Sequence, residues 1–217
     1  MNPAEFVETL RRIELENVFN PYRDRCQKHD KPDAFRQRAQ ALQNLLEAAV
    51  KVKIDAIWIG RDLGHRGGRR TGLALTDDVH LAIHGTRWNL SIQRATTGPV
   101  VAERTAAVIW SMLTLISSPI FLWNVFPFHP YEPEDQFSNR SHNPRERQIG
   151  EELLVELITI LKPSRIIAIG NNAAKTSSRI IKTKQALHVR HPSYGGQRDF
   201  VKQITQLYDI EPKSKQC

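Results

Sequence analysis

Residues 53–78 read KIDAIWIGRDLGHRGGRRTGLALTDD. The first part, KIDAIWIG, is a short branched and aromatic run halted by Gly60, the pattern of a strand buried on both faces. Beyond it an early acid, Asp62, is surrounded by glycine and arginine. A nucleotide-phosphate loop is the first explanation to test. The G-x-x-x-x-G-K-[ST] pattern fails, because a loop beginning at Gly64 has Arg69 and Arg70 where the second glycine and the lysine must stand. The dinucleotide pattern G-x-G-x-x-G is missing as well, which argues against ATP or NAD, although backbone amides here could still hold a single phosphate.

The same grammar repeats on either side. Residues 4–17 and 33–50 carry apolar side chains at helical spacing, with PYRDRCQKHDKP between them as a loop and Asp33 as a candidate N-cap. Residues 101–116 read as a helix, PIFLWNVFPF as a buried strand, and PRERQIGEELLVELITIL as another helix. RIIAIG then reads as a strand, NNAAKTSSRIIKT as a helix and QALHV as a last strand. Four short buried strands separated by helices predict an α/β fold: a three-layer α/β/α sandwich around a central four-stranded parallel sheet. Residues 1–217 are expected to form a single domain, with the N-terminal helices 4–50 packing on the α/β core. HPYEPEDQFSNRSHNPRE reads as a surface loop, because strand and helix alternate again beyond it.

Composition narrows the partners. Lys plus Arg number 31 against 23 Asp plus Glu, giving a net charge of +8 and a sequence pI near 9.7, which favours polyanions. Two cysteines, Cys26 and Cys217, are too few for a disulfide framework, a four-cysteine zinc site or an all-cysteine iron–sulfur cluster. The start, MNPAEFVETLRRIELEN, lacks a signal-peptide core, and no run reaches the roughly 18 apolar residues of a membrane span. A cytoplasmic protein without a membrane partner is expected.

In open parallel sheets ligands bind at the carboxyl ends of the strands, and Asp62, Asn124, Asn171 and His191 all fall at or just after such ends. His191 lies in VRHPSYGG, where Pro192 stiffens the turn and the glycines beyond Tyr194 loosen its tip. His80 and His84 are four apart and could share a helix face, but the zinc-protease glutamate is missing and no third ligand is evident, so no metal is expected. Asn139-Arg-Ser is a glycosylation sequon by pattern only.

Taken together, these segments resemble the uracil-DNA glycosylase superfamily. GRDLGH is similar to the water-activating motif Gly-Gln-Asp-Pro-Tyr-His of its best-known branch, and GLALTD to the Gly-Leu-Ala-Phe-Ser that follows it. WNVFPF resembles the strand carrying the base-reading asparagine, RIIAIGNNAAKTS the strand and helix start before the last site loop, and HPSYGG the His-Pro-Ser loop. The motifs occur in order and cover residues 50–205. The segment from NRSHNPRE to GNNA also resembles the iron–sulfur branch, whose four cysteines this chain cannot supply.

The resemblance implies a monofunctional hydrolase that flips a base out of DNA, single- or double-stranded and containing uracil or a related deaminated base. It implies no cofactor, and a monomer is expected. Asp62 would orient water and stabilise a cationic sugar, while His191 would donate a hydrogen bond to the departing base. Asn124 would read the pairing edge. Gly60, Arg61, Leu63, Gly64, His65 and Leu75 would shape the base pocket. Arg66, Arg69, Arg70, Ser193, Tyr194 and Arg198 would contact the DNA, with Tyr194 as the wedge.

Departures from the motifs bear on substrate. Gly64 stands where the best-known branch has the tyrosine that excludes the thymine methyl, and leaves that space open. Leu75 replaces the stacking phenylalanine, for which Trp58, Trp123 or Phe126 could substitute. Both changes open the base range toward other deaminated or 5-substituted bases. Two other classes fit the same residues: a catalytically weak or inactive module binding uracil or single-stranded DNA, and a nucleoside hydrolase acting on free nucleosides.

Overall fold

In the computed structural model, which describes residues 1–180 and 186–211, alternation along the apolar runs decides where each helix packs. The elements are α1 (Pro3–Arg12), β1 (Val18–Phe19), α2 (Ala34–Ala49), β2 (Ala56–Asp62), α3 (Gly68–Thr71), α4 (Leu81–Arg87) and α5 (Arg104–Leu113). They continue with β3 (Ile120–Phe126), β4 (His129–Pro130), α6 (Pro144–Leu161), β5 (Arg165–Ile169), α7 (Asn171–Ile180), β6 (Ala186–Val189) and α8 (Gln197–Leu207). β2, β3, β5 and β6 form a parallel sheet in the order β3-β2-β5-β6. Successive side chains of a strand point to opposite faces. Ile57, Ile59, Phe121, Trp123, Ile166 and Ala168 therefore enter one core with α1, α2 and α6. Ala56, Trp58, Ile120, Leu122, Ile167 and Ile169 enter a second core with α5 and α8. Both faces are covered, which is the three-layer α/β/α sandwich expected from the sequence.

β2 is the first of these strands, and the chain goes on to β3 at one side before crossing to β5 at the other. The switch point thus lies between β2 and β5, where such folds open a crevice at the strand ends. No helix among the described residues is long and apolar enough to cross a membrane.

Some boundaries differ from the expected ones. α1 ends at Arg12 rather than at residue 17, and Asn17 takes a left-handed φ of 54° that no helix continues. Val18 and Phe19 instead pair antiparallel with Pro130 and His129. The expected helix 101–116 narrows to Arg104–Leu113. The ends of the expected helix 171–183 and strand 185–189 lie partly outside the described residues, as does Cys217, while Cys26 is a buried free thiol.

Arg69 and Arg70 are corrected from their expected role as phosphate contacts, because both are buried. The Arg69 guanidinium lies over the Phe19 ring at 4.1 Å and the Phe137 ring at 4.9 Å. Arg70 pairs with Asp78 at 2.7 Å and donates to Thr96 at 3.0 Å. From α2, Arg38 pairs with Asp30 and donates to the Arg69 carbonyl at 3.2 Å, with 1% of its side chain exposed. This network fixes the loop after β2 to the N-terminal segment, and the Tyr22 hydroxyl adds a 2.7 Å bond to the Gly72 carbonyl.

Removing one partner of a buried ion pair strands the other charge, so Arg38→Ala is expected to cost about 3–5 kcal/mol in urea denaturation. A loss below about 1 kcal/mol, the range of surface pairs, would contradict this role. His84 tests the α5 side of the fold. It is buried against Trp110 and bonded to the Thr76 hydroxyl, and burial, followed by Arg87, pushes its pKa down to about 3. A lowered folded-state pKa means that the unfolded chain binds the extra proton. Stability is therefore full above the ordinary histidine value of 6.5 and falls as pH drops from there toward about 3. One such group contributes a slope of up to ~1.4 kcal/mol per pH unit, which His84→Gln is expected to remove from the pH dependence of the urea midpoint.

Candidate active site

A cavity of about 480 Å³ opens at the switch point, walled by Arg61 and Asp62 from the end of β2, Ile169 to Asn172 from the β5–α7 junction, and Arg190 to Tyr194 beyond β6. Asp62 is the last residue of β2, in register with Phe126, and its side chain is 5% exposed. Both of its oxygens are held. Arg61 Nε donates to Oδ2 at 2.6 Å, and His142 Nδ1 bonds Oδ1. The His142 ring stands 6.0 Å from that of Phe126. A carboxylate oriented on two sides keeps further lone pairs for water and puts a fixed negative charge against the cavity.

Sequence reading missed His142, because it lies in the stretch read as a surface loop. That loop is a wall of the site. Asn143 caps α6 in a capping box with Glu146, with Pro144 at the first helical turn. Arg140 grips Glu146 through two 2.7 Å bonds and donates to the carbonyls of Tyr131 and Asn17. His142 is thus set one residue before a fixed helix start, and Asn139 and Arg140 line the cavity beside it. The legible signal was Asn-Pro-x-Glu, which places the helix start and hence the polar residues before it.

His191 stands across the cavity, half-buried, packed against Gly170, where an added Cβ would lie 3.0 Å from the His191 Cβ. Its Nδ1 accepts from the Ser193 backbone N–H at 3.1 Å. In a neutral imidazole the proton is then on Nε2, which makes the other end of the ring a donor. Burial, together with Arg61 and Arg190, lowers its pKa and favours that neutral form. Tyr194 tips the same loop with φ 53° and is 98% exposed.

Asn124 is 1% exposed on β3, in register with Gly60, and neither residue lines the cavity, from which Leu75 separates them. Its Oδ1 has no hydrogen-bond partner among the described residues. It lies over Gly60, where an added Cβ would collide with it and come within 3.0 Å of the Leu75 side chain. Leu75 lines the cavity with φ 54°. Leu63 is buried, with its backbone N–H bonded to the Phe128 carbonyl at 3.1 Å and its side chain against Gly68. His65 does not line the cavity; its N–H and ring bond Asn139 at 2.9 and 3.0 Å. Trp58 and Trp123 are buried in opposite cores, and neither they nor Phe126 line the cavity. Arg66 and Arg198 are exposed, and the Ser193 hydroxyl meets that of Thr105 at 3.2 Å.

The space expected to be open at Gly64 is filled. The Glu103 carboxylate lies there, 2.9 Å from where a Gly64 Cβ would stand, and it also occupies the place of a Gly67 Cβ. Asp77 and Asp78 are buried. Asp77 accepts the His80 N–H that opens α4 and the Glu103 N–H.

Because Asn124 and Gly60 share one space, Gly60→Ala is expected to cost about 1–3 kcal/mol by overpacking. In a double-mutant cycle, Asn124→Ala should remove most of that cost, whereas additive losses would contradict the contact.

Comparisons with known proteins agree with the fold. A model of the Uracil DNA glycosylase superfamily matches residues 49–208, a span that contains Asp62, Asn124, His142 and His191. The crystal structure of wild-type SMUG2 from Pedobacter heparinus shares the fold with a TM-score of 0.62, covering 97% of this chain and 98% of that one at 14% identity. No curated protein sequence matches the chain. With its family model spanning the whole sheet and every wall of the cavity, the chain belongs to the uracil DNA glycosylase superfamily.

Proposed function

We propose that the chain is a monofunctional DNA glycosylase that hydrolyses the bond between deoxyribose and uracil or another deaminated base flipped into the cavity. Membership of the superfamily supports a glycosylase-type function with DNA as its partner. The observation that carries the finer reading is the opposition, across one cavity, of a carboxylate held by Arg61 and His142 and an imidazole whose Nδ1 is already taken.

The chemistry follows from those two groups. As the C1′–N bond breaks, its electron pair stays with the base and the sugar becomes cationic. Asp62 stabilises that cation and aligns a water, whose oxygen bonds to C1′ while a water proton is released. His191 Nε2–H donates to the base oxygen that gains charge, so the base leaves as a stabilised anion that takes up a proton. Asn124 offers an amide to the pairing edge, and its buried Oδ1, without a partner among the described residues, supports that role. His142 acts through Asp62 and is a positioning residue. On the rim, Arg104, Arg198 and Lys202 border a shallow groove beside the exposed Tyr194, a basic track for phosphates with an aromatic tip for the gap left by the base.

One observation favours the non-catalytic module as a second reading: the Arg61 ion pair already neutralises part of the Asp62 charge. The test is a uracil-bearing oligonucleotide treated with the protein and then alkali. Strand scission is expected from the wild type, with a loss of about 10²-fold or more in Asp62→Asn, the scale of removing one electrostatic stabiliser. His142→Gln should lower the single-turnover rate about 10-fold with little change in DNA affinity, as expected for a group that only orients another. Tight binding without scission would establish the module instead, and release of base from free nucleosides would establish a nucleoside hydrolase.

A further inference from the structure

Glu103 occupies the N-cap position of α5, but its side chain makes no capping bond. It turns into the cavity, and it is among the residues that line it. The turn is enforced from behind, since its backbone N–H is held at 2.6 Å by the buried Asp77 carboxylate. In front, Gly64 and Gly67 leave the volume that the carboxyl group fills, and a side chain at either position would displace it. Among the described residues neither oxygen has a hydrogen-bond or ion-pair partner in this state. Burial, and then Asp77, raise its pKa from the ordinary carboxylate value while Arg66 opposes them, a shift toward the protonated form, which both donates and accepts.

Its place is complementary to the other polar groups. On the reading above, His191 and Asn124 take the carbonyl and pairing sides of the base, and Asp62 with His142 takes the sugar side. The edge left over is C5 of a pyrimidine or the N7 side of a purine, and Glu103 is the lining carboxyl group without another task. A carboxyl group forced against a methyl loses its contact with water and gains no partner, whereas one facing a nitrogen acceptor is satisfied.

We propose that Glu103 is the specificity-determining residue of this site, selecting bases whose non-pairing edge offers it a hydrogen-bonding group, as a deaminated purine does through N7, and rejecting bases that present a methyl there. The inference rests on the glycosylase reading. Glycines 64 and 67 then do not widen the pocket; they admit a polar wall borrowed from α5.

The test is single-turnover release of uracil, thymine and hypoxanthine from otherwise identical oligonucleotides by the wild type, Glu103→Ala and Glu103→Gln. Rate ratios taken within one protein cancel any difference in folded fraction. Glu103→Ala is expected to raise the thymine-to-uracil ratio and to lower the hypoxanthine-to-uracil ratio, each by about 10-fold. Glu103→Gln, which keeps the volume and a donor, should stay within about threefold of the wild type on both. Unchanged ratios in Glu103→Ala, with uracil still released, would overturn the inference while leaving the glycosylase reading intact. Equal shifts in Glu103→Ala and Glu103→Gln would overturn the hydrogen-bonding role. No release of any base by the wild type would overturn the glycosylase reading, and this inference with it.

Discussion

Arg38 donates from α2 to the Asp30 carboxylate and to the Arg69 carbonyl, in a region where neither charge reaches water. Burial lowers the Arg38 pKa to about 10, although Asp30 opposes the shift. Such a pair is tolerated only when each charge is matched at close range. The condition extends along the loop: Arg69 is covered by two phenylalanine faces and Arg70 by Asp78 and Thr96. The segment from Leu63 to Asp78 is thereby fixed from below, and its upper side becomes the floor and wall of the cavity. The N-terminal helices and the β1–β4 ribbon supply that support; they provide none of the cavity's lining residues.

A loop fixed in this way can carry unfavourable features above it. Leu75 sits at positive φ, Asn124 keeps a buried oxygen without a partner among the described residues, and the Glu103 carboxyl group is pressed against two glycines. Each costs on the order of 1–3 kcal/mol in an isolated setting. They cluster around one cavity, as expected where the surrounding structure over-determines local geometry. The same cavity carries the Asp62–Arg61 ion pair at 2.6 Å, with Arg190 among its lining residues.

The layers were legible because strands covered on both faces are written as unbroken apolar runs, as in DAIWIG and PIFLWNVF. The ends of those runs located Asp62 and His191, which line one cavity, and Asn124, which is buried on β3 against Gly60. α6 was legible to the residue because Asn143, Pro144 and Glu146 mark its start. His142 and Glu103 were not, since one precedes a helix and the other stands at an N-cap position without capping it, and their direction is set by tertiary contacts. The arginines misled for a related reason. Composition shows charge but not its neighbours, and Arg69 and Arg70 look alike with Arg66 until Phe19, Phe137 and Asp78 are placed around them. Val18 and Phe19 make a strand only because residues far along the chain offer them an edge.

The strand order carries a consequence for how the molecule is made. β6 is the outer strand of the sheet and the last to leave the ribosome, and the loop it feeds brings His191 to Asp62 from more than half the chain away. Parallel pairings over such separations form late, after a large loss of chain entropy. A nascent chain with β2, β3 and β5 already in place therefore has the carboxylate and the amide but no opposing imidazole and no aromatic tip. The two sides of the cavity therefore face each other only once β6 has paired, and a chain cut short before β6 would lack one of its walls.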